Sequence, residues 1–203
     1  LSLAQAREVI SVLDDGTVQF EVLTFETKGD RDRTTPIDET EGSDFFTDAV
    51  EEALLKGSVD IAVHSAKDMP DRQKKGLTVA VVTPSVDPDD VLVSRNGLKL
   101  GELPPGATVG TSSKRRKEAV KALRPDIRIA DLRGNIGERL EKLDKGEFDA
   151  IVVAAAGLIR LGLGDRITER LPITGAKGQG SLAIEIRGSD RELLKWLGKK
   201  YTS

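Results

Sequence analysis

Four residues able to do chemistry crowd into five positions, His64, Ser65, Lys67 and Asp68, directly after the apolar run Ile61-Ala62-Val63. Gly57 and Pro70 bound the segment, which reads as a core strand of a parallel sheet running into a polar turn. In open α/β sheets ligands bind outside the carboxyl ends of strands, where this cluster would lie. A lysine beside a carboxylate there can hold an anion and move a proton. His64 is the only histidine, and alone it reads first as a satisfied core side chain. Lys67 and Asp68 could equally pair with each other.

Three further strand ends deliver cations. Val109-Gly110-Thr111-Ser112-Ser113-Lys114-Arg115-Arg116 ends a strand and opens a helix, with Ser112 or Ser113 as N-cap. The free N–H groups of a helix start and two arginine forks suit a carboxylate or phosphate. Taken alone, the segment is equally a capped helix with a solvated basic face. Asp131-Leu132-Arg133-Gly134-Asn135-Ile136-Gly137-Glu138-Arg139-Leu140 repeats the arrangement, and Arg160 follows the apolar stretch from Ile151 to Leu158. Each arginine alone reads as an ordinary surface residue. Their repetition at three strand ends implies a ligand with several negative charges. Gly178-Gln179-Gly180 by itself reads as a plain turn.

The elements that must position these groups alternate. Helices are expected over Leu3–Leu13, Phe46–Leu55, Arg116–Leu123, Ile136–Leu143 and Asp190–Lys199, with a further helix running through Leu161. Strands are expected over Gln19–Glu26, Ile61–Val63, Leu77–Val82, Val91–Val93, Thr108–Val109, Ile127–Ile129, Ala150–Ala155 and Leu182–Ile186. Thr27–Asp44 reads as a long loop. The alternation predicts an α/β fold of two lobes with mixed, mainly parallel sheets and covering helices. Residues 1–85 with 178–203 form the first lobe and 86–177 the second. The chain opens on Leu1 with no strand ahead of its first helix, so a preceding strand is expected outside these residues.

Composition narrows the function. The 203 residues carry a net charge of −3, which gives no electrostatic reason to expect nucleic acid. No apolar run has the length of a membrane span, and a cytoplasmic protein is expected. With no cysteine there is no thiol nucleophile or disulfide, and with one histidine a zinc centre is not expected.

The segments VDIAVHSAKDMP, VGTSSKRRKEAVKALRPDI, LRGNIGERLEKLDKGEFDAIVVAAAGLIRLGL and GQGSLAIEIR together resemble the hydroxymethylbilane synthase (porphobilinogen deaminase) family, in its order and at its spacing. The resemblance implies two lobes like those of type II periplasmic binding proteins, with the active site in the cleft between them. It implies polymerisation of four porphobilinogen units to a linear bilane in tetrapyrrole (haem) biosynthesis, with release of ammonia. It makes Asp68 the catalytic carboxylate and places Ser65 and Lys67 in the same site. Thr111, Ser113, Arg115, Arg116, Arg133, Arg139 and Arg160 would bind acetate and propionate groups, and Gln179 would contact the cofactor.

That cofactor is a dipyrromethane, held in the family by a cysteine of a third domain, and the attachment site is absent from these 203 residues. Where the family usually has a Lys-Gly-Leu-Phe-like run the chain reads Ser43-Asp44-Phe45-Phe46, and Gly175-Ala176-Lys177 lacks the usual proline. The implied partners are porphobilinogen and the growing polypyrrole, with no nucleic acid and no membrane. The chain is expected as a monomer, or beside a separate third-domain polypeptide. The alternatives are a shortened, non-catalytic homologue that binds tetrapyrroles or other polyanions, and a generic two-lobed solute-binding protein.

Overall fold

The computed structural model describes residues 1–26, 47–70 and 72–202. Helix α1 spans Ser2–Leu13 and buries Val9 and Leu13. Helix α2 spans Asp48–Lys56 and stops at Gly57, whose φ of 72° lets the chain turn left-handed so that its N–H meets Leu54 O. Strand β1 (Ile61–Ser65) leads into a 3-10 turn at Ala66–Asp68, and β2 covers Leu77–Val82. Then come β3 (Asp90–Ser94), β4 (Thr108–Gly110), α3 (Lys114–Leu123), β5 (Arg128–Ala130), α4 (Ile136–Asp144), β6 (Ala150–Ala154), α5 (Ala155–Arg160), β7 (Glu169–Arg170), β8 (Leu182–Arg187) and α6 (Arg191–Thr202).

Two sheets result. The first has the order β1-β8-β2, the second β5-β4-β6-β3-β7. The mixed α/β character is as expected, but the ladder directions differ in detail. β1 and β2 both pair antiparallel to β8, so the parallel pairing expected of Ile61–Val63 is absent among the described residues. Among the described residues parallel pairing is confined to β4 with β5 and β6. An apolar run states burial and not direction; here direction is set by β8, which enters the first sheet on the chain's return from the second.

A second correction concerns Gln19–Glu26. These residues join no ladder among the described residues, and Val22, Leu23 and Phe25 are exposed. The apolar content supports an extended chain, but a strand also needs a partner. The expected loop Thr27–Asp44 and the segment Ser43–Phe46 lie outside the described residues.

Alternation along β8 sorts the first core. Leu182, Ile184 and Ile186 pack on one face with Val9 and Leu13 of α1 and Leu197 of α6. The other face carries Ala183, Glu185 and Arg187, and there Ala62 and Leu77 meet Leu54 of α2. In the second sheet the buried β3 and the nearly wholly buried β6 separate two apolar clusters, one under α4 and α5, the other under α3. Full burial of each Leu, Ile or Val contributes about 1.5–3 kcal/mol. Among the described residues no helix is long and apolar enough to cross a membrane.

The chain crosses between the sheets twice, at 83–90 and 174–182, and the crossings lie against each other. Val86 N donates to Gly180 O at 3.2 Å, Thr83 N donates to Leu182 O at 2.9 Å, and Ser85 Oγ donates to Gln179 O at 2.8 Å. Gly180, with φ of 84°, is obligatory here: a Cβ would sit 2.4 Å from Asp87 O.

Candidate functional site

Asp68 ends the 3-10 turn that continues β1, and two contacts anchor that turn. Ala66 N donates to Ser181 O at 3.0 Å. Gly178, at φ 72°, lies so close that an added Cβ would be 3.2 Å from the Ala66 carbonyl carbon and 3.3 Å from Lys67 N. The return segment therefore braces the turn. The Asp68 side chain stays 41% exposed, with Lys67 Nζ 4.0 Å from its Oδ1. Neighbouring Ser65 is tied down by Gln5, whose Nε2 donates to its Oγ at 2.8 Å.

Lys67 stands in a recess and not in the core: a third of its side chain is accessible. Desolvation by the surrounding protein pushes its ammonium below the ordinary lysine value. Asp68 opposes this, Arg116 and Arg139 reinforce it, and Asp90 opposes it more weakly. The same crowding acts on Arg139, held down to about 10 by desolvation first and then by Arg116 and Arg133, against Glu138. Arg139 stays cationic at neutral pH. Its Nε donates to Gly134 O at 2.6 Å. Asn135 and Glu138 cap α4 reciprocally, at 3.1 and 2.8 Å, and so fix where that arginine starts. Arg133 lies just before this cap, its carbonyl accepting from Lys142 Nζ.

Asp90 anchors a second knot. Arg116 Nε and Nη2 donate to its Oδ1 at 3.0 and 2.8 Å, and Gln179 Nε2 donates to the same oxygen at 3.0 Å. Arg115 Nη1 is 2.6 Å from Oδ2, an ion pair whose orientation is not that of a good hydrogen bond. Arg115 also donates to Thr174 O. Burial alone would raise the Asp90 carboxyl, but Arg116 and then Arg115 outweigh it and hold the group below the usual carboxylate value. Gln179 Nε2 also reaches Pro88 O at 2.6 Å, so it bolts the return segment to the first crossing.

The expected residues thus sort by surroundings. Lys67, Arg116, Arg133 and Arg139 are electrostatic neighbours, with Asp68 at the rim and Arg115 and Gln179 beside Arg116. Arg116 and Gln179 are buried and committed to Asp90. Arg160 is 5% exposed and committed as well, its Nε and Nη2 on Glu8 at 2.6 and 3.0 Å and Nη2 on Gly180 O at 2.9 Å. Thr111 is buried, its N–H donating to Ala130 O. Ser113 is the N-cap residue of α3 but makes no side-chain cap bond; the buried Ser112 Oγ instead bridges Leu132 O and Leu132 N.

Residues the sequence reading missed are Asp90, Glu8, Gln5 and Glu185. Two had a signal: Asp90 and Glu185 are carboxylates inside otherwise apolar strands, where a charge requires a partner. Glu8 and Gln5 had none, because their partners are 152 and 60 residues away. Among the described residues no group of three or more His, Cys, Asp or Glu is placed to hold a metal. A groove of about 300 Å³ between Lys117, Glu118, Lys121, Ile129 and Asp131 is lined by none of the residues above.

Residues 1–195 match the family described as porphobilinogen deaminase, dipyromethane cofactor binding domain. The chain is 46% identical over 195 residues to porphobilinogen deaminase of Thermus thermophilus, covering 94% of this chain and 63% of that protein. It is 45% identical over 205 residues to the Geobacillus kaustophilus enzyme, covering 98% and 66%. It is 46% identical over 198 residues to that of Deinococcus radiodurans, covering 94% and 64%. The chain thus spans just under two thirds of the length of these curated relatives. Among solved structures it is similar in fold to the VFT2 domain of Bordetella pertussis BvgS, with a TM-score of 0.52, 18% identity, and coverage of 100% of this chain and 77% of that one. It is also similar to the second substrate binding domain of a putative amino acid ABC transporter from Streptococcus pneumoniae, with a TM-score of 0.51, 16% identity, and coverage of 79% and 72%.

Proposed function

This chain belongs to the porphobilinogen deaminase family, and from that premise we propose that it forms the first two domains of a hydroxymethylbilane synthase, 1–85 with 178–203 and 86–177, working as a monomer in the cytoplasm. The observation that carries the reading is the set of crowded cations around Lys67, Arg116, Arg133 and Arg139 beside the accessible carboxylate of Asp68. A cationic recess fits a ligand bearing several carboxylates, and each porphobilinogen carries two.

Each condensation breaks the aminomethyl C–N bond, releases ammonia, joins the freed methylene carbon to the next pyrrole ring and removes a proton from that ring carbon. Positive charge spreads over the pyrrole as the amine departs. Asp68, at the rim of the recess, is suited to stabilise that charge and to take up and pass on the displaced proton. Lys67, Arg139, Arg133 and the accessible side of Arg115 hold the acetates and propionates. Ser65, Thr111 and Ser113 line the strand ends. Arg116, Arg160 and Gln179 act from committed positions, keeping the strand ends in register. The same donor set fits a dipyrromethane, whose own side chains are acetates and propionates. When bound, a dipyrromethane supplies the pyrrole carbon at which chain growth starts.

Incubating the full-length protein with porphobilinogen tests the proposal: consumption with appearance of a linear tetrapyrrole by mass spectrometry is expected. Tight binding without consumption would favour a non-catalytic binder of tetrapyrroles or other polyanions.

A further inference from the structure

Inside the first sheet, one residue before the polar turn begins, two titratable side chains face each other with no other ionic partner among the described residues. Glu185 is fully buried, and neither carboxylate oxygen makes a hydrogen bond of good geometry. His64 is buried too, and its Nε2, likewise without a hydrogen bond of good geometry, lies 3.2 Å from Glu185 Oε2. The register explains the encounter. Ala62 lies opposite Glu185 and His64 opposite Ala183, so the two side chains are diagonal neighbours on one face of the β1–β8 ladder. A lone carboxylate in such a place costs several kcal/mol. A proton on Nε2 directed at the carboxylate offsets part of that cost.

The surroundings offer no rival partner among the described residues. On the same face of β8, Arg187 is spent on Asp60 and on the Leu54 and Val59 carbonyls. Helix α2, which covers this face, brings Glu51, held by Thr47 at 2.9 Å and by Lys74 at 3.5 Å. Strand β2 contributes no titratable residue, and Val79 is the residue paired with Glu185. Helices α1 and α6 pack on the opposite face, behind Leu182, Ile184 and Ile186.

We infer that His64 and Glu185 are positioning residues for Asp68: the proton they share clamps the last turn of β1 to β8 and so fixes the Ser65–Asp68 turn. The clamp sits where such a fix has effect. Ser65 is the next residue, opposite Leu182, and Ala66 N is already bonded to Ser181 O. Beyond that bond the packing of Gly178 and the Gln5 bond to Ser65 steady the turn carrying Asp68. The inference rests on the catalytic reading of Asp68 only for its effect on turnover; the clamp itself is testable without any activity.

The first test is ¹⁵N NMR of the imidazole, with the His64 signal identified by its loss in His64→Gln. Expected is a proton on Nε2, and Glu185→Leu should shift that nitrogen. A bare Nε2 in the wild type overturns the inference. The second test is hydrogen exchange at the Ala66 amide, expected to accelerate at least about tenfold in Glu185→Leu while Val109 and Val152 amides are unchanged. Uniform acceleration, or none, overturns it. The third uses the cofactor-loaded, full-length enzyme. Glu185→Leu should lower kcat about 10- to 100-fold, as expected for a misplaced catalytic group, with KM within about twofold. Glu185→Gln, which still accepts from Nε2, should recover most of the loss. A folded Glu185→Leu enzyme with wild-type kcat overturns the positioning role. A wild-type enzyme without turnover, whose NMR and exchange results are as expected, overturns the catalytic reading and leaves the clamp standing.

Discussion

Arg116 closes on a single oxygen of Asp90, with Nε at 3.0 Å and Nη2 at 2.8 Å, and leaves the other oxygen to Arg115. Two arginines that look equivalent in sequence are therefore unequal. Arg116 is buried and fixed, while Arg115 keeps a third of its side chain in solvent and a poorly oriented pairing. Asp90→Ala should cost about 3–5 kcal/mol, because it strands a buried cation. Urea unfolding measures this, and a loss within 1 kcal/mol would refute the idea that Asp90 holds the knot.

The same carboxyl gives stability a pH dependence. Its folded value lies below the ordinary one, since Arg116 and Arg115 outweigh burial. The stabilisation is then complete above the unfolded carboxyl value of about 3.9 and is lost as pH falls through the folded value. Unfolding midpoints of the wild type should therefore fall more steeply below about pH 4 than those of Asp90→Asn.

Asp68 is accessible, and its nearest ionic partner among the described residues is 4.0 Å away. Asp68→Asn should leave thermal stability within about 0.5 kcal/mol and lower kcat about 10²- to 10⁴-fold. A full-length Asp68→Asn enzyme with normal turnover would remove Asp68 from the chemistry.

Desolvation holds the Lys67 ammonium below the usual value, and Arg116 and Arg139 add to it against Asp68. A depressed lysine means that the unfolded chain binds the proton more tightly, so this group favours unfolding at neutral pH and the handicap fades as pH rises towards the unfolded value of about 10.4. Replacing it should have opposite effects on stability and binding. Lys67→Met is expected to unfold at the same or higher temperature than the wild type and to gain less on adding a polycarboxylate ligand. Differential scanning calorimetry with and without porphobilinogen reads both, and equal ligand-induced gains in the two proteins would count against a binding role.

Gly180→Ala should be among the most damaging of small substitutions. The new methyl would meet Ser85 Oγ at 2.1 Å and the Asp87 carbonyl at 2.4 Å from a left-handed backbone. A loss above about 2 kcal/mol is expected, measured by chemical denaturation.

Much of this was legible in residue order. Helices such as Ile136–Asp144 announce themselves by apolar period, and strand ends carrying Lys67, Asp68 and Arg133 mark the candidate site. What stayed hidden depends on contacts distant in sequence. The apolar run of β8 states burial and is silent on direction, so its antiparallel entry was not foreseen. β7, two residues long, is below any periodicity. Arg116 and Arg160 are visible as cations, yet nothing local says that Asp90 and Glu8 claim them. A carboxylate inside an apolar strand, as in Asp90-Val91-Leu92-Val93, was the one available warning.

The order of strands in the two sheets also carries a timetable. The second sheet draws on one continuous stretch, from Asp90 to Arg170. The first keeps its middle place for β8, which follows every other strand of both sheets in the chain. On the ribosome the arginine-bearing half can close while β1 and β2 still wait, their edges open, for Leu182–Arg187 to emerge. A stall between these moments would expose two unpaired apolar strands, so this interval is where the nascent chain has most need of a chaperone.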